Sequence, residues 1–224
     1  VTGVFVVGTD TGVGKTVVTA GLTARLRDAG LAARAIKPAQ TGYPPDDDAA
    51  FVADACGTPE AATALRRLEP PLAPRVAAER ADDPLDYDAL LAGCRRALDR
   101  AEVGIVEGIG GVRVPLAGDA EVIDLVADLD LPAVVVARSG LGTLNHTALT
   151  VDALARRGVR VHAVVLNRYR AATVAERTNV AELERMTGRP AFTVPPSAGG
   201  DPAALAADVR EALPPAALPD SVRP

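Results

Sequence analysis

Tryptophan is absent, and phenylalanine and tyrosine occur three times each in a chain of 224 residues. A core with so little aromatic bulk has to be built from Val, Leu, Ile and Ala, as in parallel strands covered by helices on both faces. Cysteine is scarce too. Cys56 and Cys94 show no metal-binding spacing and no disulfide framework, so both read as reduced thiols. There is no basic surplus: 24 Lys and Arg stand against 29 Asp and Glu, a formal charge of −5, which argues against a nucleic-acid partner. No apolar run approaches the roughly 18 residues of a membrane span. No charged-then-apolar leader opens the chain, and no internal repeat is found. These absences lead to the expectation of a cytoplasmic protein without nucleic-acid or membrane partners.

What is present fits one α/β domain over residues 1–224, with about 214–224 as a loose Pro-rich tail. Apolar runs predict strands at 3–8, 33–37, 103–107, 133–137, 161–166 and 191–194. Between them, period-3.6 patterns predict helices ending near Ala29, Cys56, Ala101, Leu129, Arg157, Thr187 and Ala212. Residues 57–85 read as mostly loop with short helical pieces. Strands alternating with helices predict a mostly parallel central sheet with helices on both faces. Functional residues are then expected at the carboxyl ends of the strands.

The most informative stretch is Gly8-Thr9-Asp10-Thr11-Gly12-Val13-Gly14-Lys15-Thr16. It joins an apolar strand to a helix, the context of a phosphate-binding (P-loop) turn, although five residues, not four, separate Gly8 from Gly14. Glycines let successive backbone N–H groups turn toward phosphate oxygens, and the new helix adds its positive dipole end. Lys15 supplies a cation at the β/γ-phosphates, and the Thr16 hydroxyl can ligate Mg²⁺. Glu107 ends an apolar strand next to Gly108-Ile109-Gly110-Gly111, where an acid can hold the nucleotide's metal ion. Asp48 can serve the same ion or cap its helix. Lys37 ends the neighbouring strand, and the Thr41 hydroxyl follows it on a loop. Asn167-Arg168 stands where a base-recognition segment can lie. Arg170 occupies the place of the aspartate found in guanine-specific loops, which favours adenine.

Four ordered segments resemble those of the dethiobiotin synthetases, the ATP-dependent ring-closing enzymes of biotin synthesis. They are the phosphate loop, Lys37-Pro38-Ala39-Gln40-Thr41-Gly42, Val106-Glu107-Gly108-Ile109-Gly110-Gly111, and Leu141-Gly142-Thr143-Leu144-Asn145-His146. The resemblance implies carboxylation of 7,8-diaminononanoate with CO₂ and ring closure driven by ATP. It implies catalytic roles for Lys37, Lys15 and Thr11, and Mg²⁺ at Thr16, Asp48 and Glu107. Nucleotide contacts are implied for Gly12, Val13, Gly14, Lys15, Thr16, Val17, Asp48, Glu107, Gly108, Ile109 and Gly110. The base falls to Asn167, Arg168, Pro195, Pro196 and Ser197. Thr41, Gly111, Leu144 and Asn145 fall to the substrate, the last pair across the interface of a homodimer. The family usually has Ala where Ile109 stands, and Arg113 has no assigned role. Two other readings share the fold: a partitioning-type switch ATPase, which carries a lysine where Asp10 stands, and an ATP-dependent amidating enzyme related to cobyrinate diamide synthase.

Overall fold

The computed structural model describes residues 2–197 and 199–223; Val1, Ala198 and Pro224 lie outside them. Nine strands and eight α-helices follow one another along the described residues: β1 (Gly3–Gly8), α1 (Lys15–Asp28), β2 (Ala33–Thr41), α2 (Asp48–Cys56), β3 (Ala62–Leu68), α3 (Pro74–Arg80), α4 (Tyr87–Leu98), β4 (Val103–Gly111), β5 (Pro115–Ala117), β6 (Ala120–Glu121), α5 (Val122–Asp128), β7 (Ala133–Arg138), α6 (Thr143–Arg156), β8 (Val161–Asn167), α7 (Val174–Thr187), β9 (Ala191–Thr193) and α8 (Pro202–Ala212). Seven strands form one sheet in the order β3-β2-β4-β1-β7-β8-β9. Every neighbouring pair in it is parallel. β5 and β6 make a separate antiparallel hairpin.

The central strand shows how this sequence covers both faces. Side chains alternate along a strand, so Phe5 and Val7 join the core under α3 to α7, while Val4 and Val6 join the core under α1 and α8. The two helices α1 and α8 pack closely. A Cβ at Gly21 would stand 2.3 Å from a Val209 methyl carbon, so only glycine lets them approach this far. Helix ends follow side-chain chemistry: Asp86 caps α4 through Ala89 N–H at 2.8 Å, and Gly188 closes α7 at φ 64°.

Three expectations need correction. Residues 57–85 contain the strand β3 as well as the helix α3. β3 is an edge strand carrying Arg66 and Arg67 with no clean apolar alternation, which hides it from a periodicity reading. β2 does not stop at Pro38. Its pairing with β4 ends at Ile36, so Pro38 stands where β2 has β3 alone beside it and the missing N–H is tolerated. The C-terminal segment is not loose: Leu213, Ala217, Leu218 and Val222 are buried in the same core as Val4 and Val6. Leu218→Ala is therefore expected to cost about 2–5 kcal/mol. Urea unfolding checks this, and an unchanged midpoint would mean that the segment adds nothing to the core.

Candidate functional site

The phosphate loop leaves the carboxyl end of β1, in the middle of the sheet, and runs into α1 through Gly14. Gly14 has φ 98°, a left-handed conformation that strains any other residue. A Cβ there would lie 1.9 Å from the Asn167 side-chain nitrogen. Asn167, buried at the end of β8, uses that nitrogen to donate to the Val13 carbonyl at 3.0 Å, and its oxygen accepts from Arg168 N–H at 2.9 Å. The amide therefore ties the loop to the far side of the sheet. Lys15 folds back over the loop and donates to the Asp10 carbonyl at 3.0 Å. Burial, and then the nearby Lys37 cation, push its pKa down to about 8.

Lys37 and Glu107 are neighbours one residue beyond the last paired residues of β2 and β4, Ile36 and Val106. Both are buried. The Lys37 ammonium meets three acceptors: Asp48 Oδ2 at 2.5 Å, Glu107 Oε1 at 2.8 Å and the Gly108 carbonyl at 3.1 Å. Its three protons are thereby matched. Thr16 Oγ1 donates to the same Glu107 oxygen at 2.8 Å. Burial pushes the Lys37 pKa down, but the two carboxylates outweigh it and raise the pKa, so Lys37 stays charged. Burial pushes Asp48 up, yet Lys37 and its hydrogen bond hold it low. Burial, with the Asp48 charge adding to it, raises Glu107 despite Lys37 and Thr16.

The run of three aspartates divides its duties. Asp47 caps α2 by accepting from Ala50 N–H at 3.0 Å. Asp48, next in the chain, is thereby freed to face Lys37, and its own N–H donates to Gln40 Oε1 at 3.0 Å. Asp46 stands at the mouth of a cavity of about 650 Å³.

That cavity brings together Thr11, Gly12, Gly14, Lys15, Thr16 and Val17 with Lys37, Thr41, Asp48, Glu107, Ile109 and Gly110. A second cavity, about 330 Å³, is lined by Asn167, Pro195, Pro196 and Ser197, and shares Val17 and Arg168 with the first. Val13, Gly108 and Gly111 line neither one. Leu144 and Asn145 also lie outside both, at the start of α6. Ile109 rests partly on the core beside Val114, and both line the larger cavity. Arg113 pairs with Glu121 on the surface, and neither residue lines the two cavities.

The sequence reading missed Gln40, Asp46, Val114 and the Pro71-Leu72-Ala73 loop, all of which line the cavity. Gln40 stood inside a quoted segment and Asp46 in the aspartate run without a role being given to either, and the apolar loop residues Val114 and Pro71 to Ala73 carry no motif that would have flagged them. One available signal went unread. Lys15 and Lys37 are the only lysines in the chain, every other strong base being arginine. A compact ammonium is kept only where both surround the same cavity. Among the described residues no group of three or more His, Cys, Asp and Glu gathers to hold a metal alone. Thr16, Asp48 and Glu107 nevertheless offer an oxygen-only set, the chemistry that suits a hard divalent ion sharing phosphate ligands.

A family profile described as an AAA domain matches residues 2–198. A protein of Haloferax mediterranei named ATP-dependent dethiobiotin synthetase BioD is 62% identical over 209 residues, covering 93% of this chain and 90% of its own length. A protein of the same name from an Anaeromyxobacter species is 45% identical over 194 residues, covering 84% and 86%. Another from Bacillus licheniformis is 40% identical over 201 residues, covering 87% and 85%. For the site geometry itself, Gly14→Ala is expected to weaken ADP binding about tenfold or more, since it both strains φ and drives the Asn167 amide away. Titration calorimetry would detect this, and wild-type affinity in the variant would mean that the loop does not depend on that contact.

Proposed function

The chain belongs to the AAA-domain family and to the ATP-dependent dethiobiotin synthetases, and on that premise we propose that it carboxylates 7,8-diaminononanoate with CO₂ and closes the product to dethiobiotin, releasing ADP and phosphate. The observation that carries the reading is the Lys37 ammonium, held between Asp48 and Glu107 and facing the cavity of the phosphate loop. One amine of the substrate takes up CO₂ as a carbamate and loses a proton. A carbamate oxygen attacks the γ-phosphorus and ADP leaves. The second amine attacks the carbonyl carbon and gives up a proton, phosphate departs with the bonding pair, and the five-membered urea closes. Both amines belong to one bound molecule, so closure is intramolecular and much of its entropic barrier is removed.

Lys15 and Lys37 neutralise charge on the transferring phosphoryl group, with Thr11 beside them on the loop. Gly12 to Val17 wrap the triphosphate, with Glu107 to Gly110 beside it, and Arg168 and Pro195 to Ser197 accept the adenine. Asn167 borders the same base site and at the same time braces the phosphate loop. Thr41 and Gly111 flank the diamine. Thr16, Asp48 and Glu107 would hold Mg²⁺, which when bound supplies positive charge to the phosphates.

The protein works as a homodimer in which Leu144 and Asn145 of the other subunit receive the substrate carboxylate. The α6 N-terminus has no side-chain cap, and a helix N-terminus attracts carboxylates. Leu141, Leu149 and Val174, exposed on α6, the loop before it and α7, support an apolar contact there. The free thiols Cys56 and Cys94 support a reducing, cytoplasmic setting. A partitioning-type switch is not favoured, because Asp10 replaces its signature lysine and pairs with Arg138 at 2.7 Å.

Three measurements test this reading. Purified protein with Mg²⁺, bicarbonate and ATP is expected to release ADP only when 7,8-diaminononanoate is added, with the cyclic urea identified by mass; ADP release without diamine dependence would sink it. Lys37→Ala is expected to lower kcat at least about 100-fold while ADP still binds. Without Mg²⁺ that variant is also expected to lose about 3 kcal/mol of stability, because two carboxylates are left without their cation. Added Mg²⁺ should restore much of the loss, and thermal melts with and without the ion read this directly.

A further inference from the structure

Three segments that the reaction needs in register meet at the turn following β7. Arg138 ends β7 and pairs with Asp10 of the phosphate loop at 2.7 Å. Ser139, next to it, is buried. Its hydroxyl lies 2.9 Å from Glu176 Oε1 and 3.2 Å from the Arg168 carbonyl. Its own carbonyl accepts from Asn179 Nδ2 at 2.8 Å, and the same amide reaches the Gly140 carbonyl at 3.4 Å. Glu176 Oε2 accepts from Ala172 N–H at 2.9 Å and Thr173 N–H at 3.3 Å.

A capping box needs only the Thr173 contact, and α7 has that box. Glu176 does more. Its second oxygen reaches across to another loop, and Asn179, one turn further along α7, grips the same loop by its backbone. The two loops have separate tasks. Residues 167–173 carry Asn167 and Arg168 and border both cavities. Residues 139–142 lead into the first turn of α6. Arg168 and Ala171 hold left-handed backbone, φ 56° and 54°, a conformation that non-glycine residues keep only where surroundings enforce it.

We propose that Glu176 and Asn179 are positioning residues that lock the base-side loop and the α6 turn to one another, so that the nucleotide site of one subunit and the carboxylate-binding turn it presents to its partner are set by a single brace. The assignment rests on the reading of Leu144 and Asn145 given above. The atoms are matched in a way that makes a conservative replacement informative. In Glu176→Gln the amide oxygen can accept from Ala172 and Thr173 N–H. Its NH₂ can donate to Ser139 Oγ, whose own proton then goes to the Arg168 carbonyl. Alanine strands all of these groups.

The full-length enzyme tests this by steady-state kinetics and backbone hydrogen exchange. Glu176→Ala is expected to raise KM for the diamine about tenfold with kcat within about twofold. Exchange in residues 140–145 and 168–173 should quicken about tenfold, while exchange in α1 stays as in the wild type. Glu176→Gln is expected to return both readouts to within about twofold of wild type. If Glu176→Ala does not fold, Ser139→Ala removes the hydroxyl that reaches Glu176 and the Arg168 carbonyl, and it is expected to loosen residues 140–145 while the Ala172 and Thr173 amides, which Glu176 still holds, stay protected. Wild-type KM and exchange in the alanine variants, or a fall in kcat at constant KM, would overturn the proposal. A wild-type enzyme that ignores the diamine would overturn the synthetase reading instead, and the exchange comparison would still decide the brace.

Discussion

The Lys37 ammonium sits beneath the site with its three protons shared among Asp48, Glu107 and the Gly108 carbonyl. Burying one ammonium and one or two carboxylates costs several kcal/mol per ion after relaxation, and the attraction between them offsets that only when the geometry leaves no proton or lone pair unmatched. Much of the local structure serves that condition. Register between β2 and β4 sets Lys37 beside Glu107. Gln40 and Asp47 together fix the first turn of α2 so that Asp48 faces inward. Thr16 donates a hydrogen bond to the Glu107 oxygen that Lys37 also contacts. The result is a reserve of opposed charge at the bottom of an open cavity. It is suited to accept a further cation and to turn an ammonium toward an anionic substrate.

The phosphate loop depends on contact from the opposite side of the sheet. β1 lies between β4 and β7, so the crevice at its carboxyl end opens where chain connections diverge, the general place for ligands in open parallel sheets. Asn167 from β8 reaches Val13 through the space left by the missing Cβ of Gly14. Asp10, on the loop's outer limb, is held by Arg138. An exposed pair of that kind contributes at most about 1 kcal/mol to stability, so its value lies in orientation.

Legibility in the sequence was uneven for identifiable reasons. Strands β1, β4, β7 and β8 were readable because buried parallel strands are near-continuous apolar runs. The phosphate loop was readable because its glycines, lysine and threonine have fixed offsets. β3 escaped because an edge strand with two arginines lacks alternation. The buried end of the chain escaped because prolines suggest mobility, whereas here they punctuate short turns that press Leu213, Leu218 and Val222 onto the sheet. Asn167 was read as a base contact; its side chain lines the second cavity, and the tie it also makes to Val13 is a tertiary contact that no spacing announces. Glu176 and Asn179 gave no signal, since an acid and an amide spaced three apart on a helix look like ordinary surface.

By itself the sequence determined the fold class, the strand-loop-helix of the phosphate site and the residue types of its chemistry. Those depend on local spacing and on patterns of burial that are written along one segment at a time. Only the tertiary structure decided that Asp48 pairs with Lys37, which strands lie side by side, and that one helix grips two loops separated by some thirty residues. Such facts follow from sheet order and from side-chain protons finding acceptors on distant segments. The free energy of a buried charge or hydrogen bond depends on partners that sequence spacing does not encode.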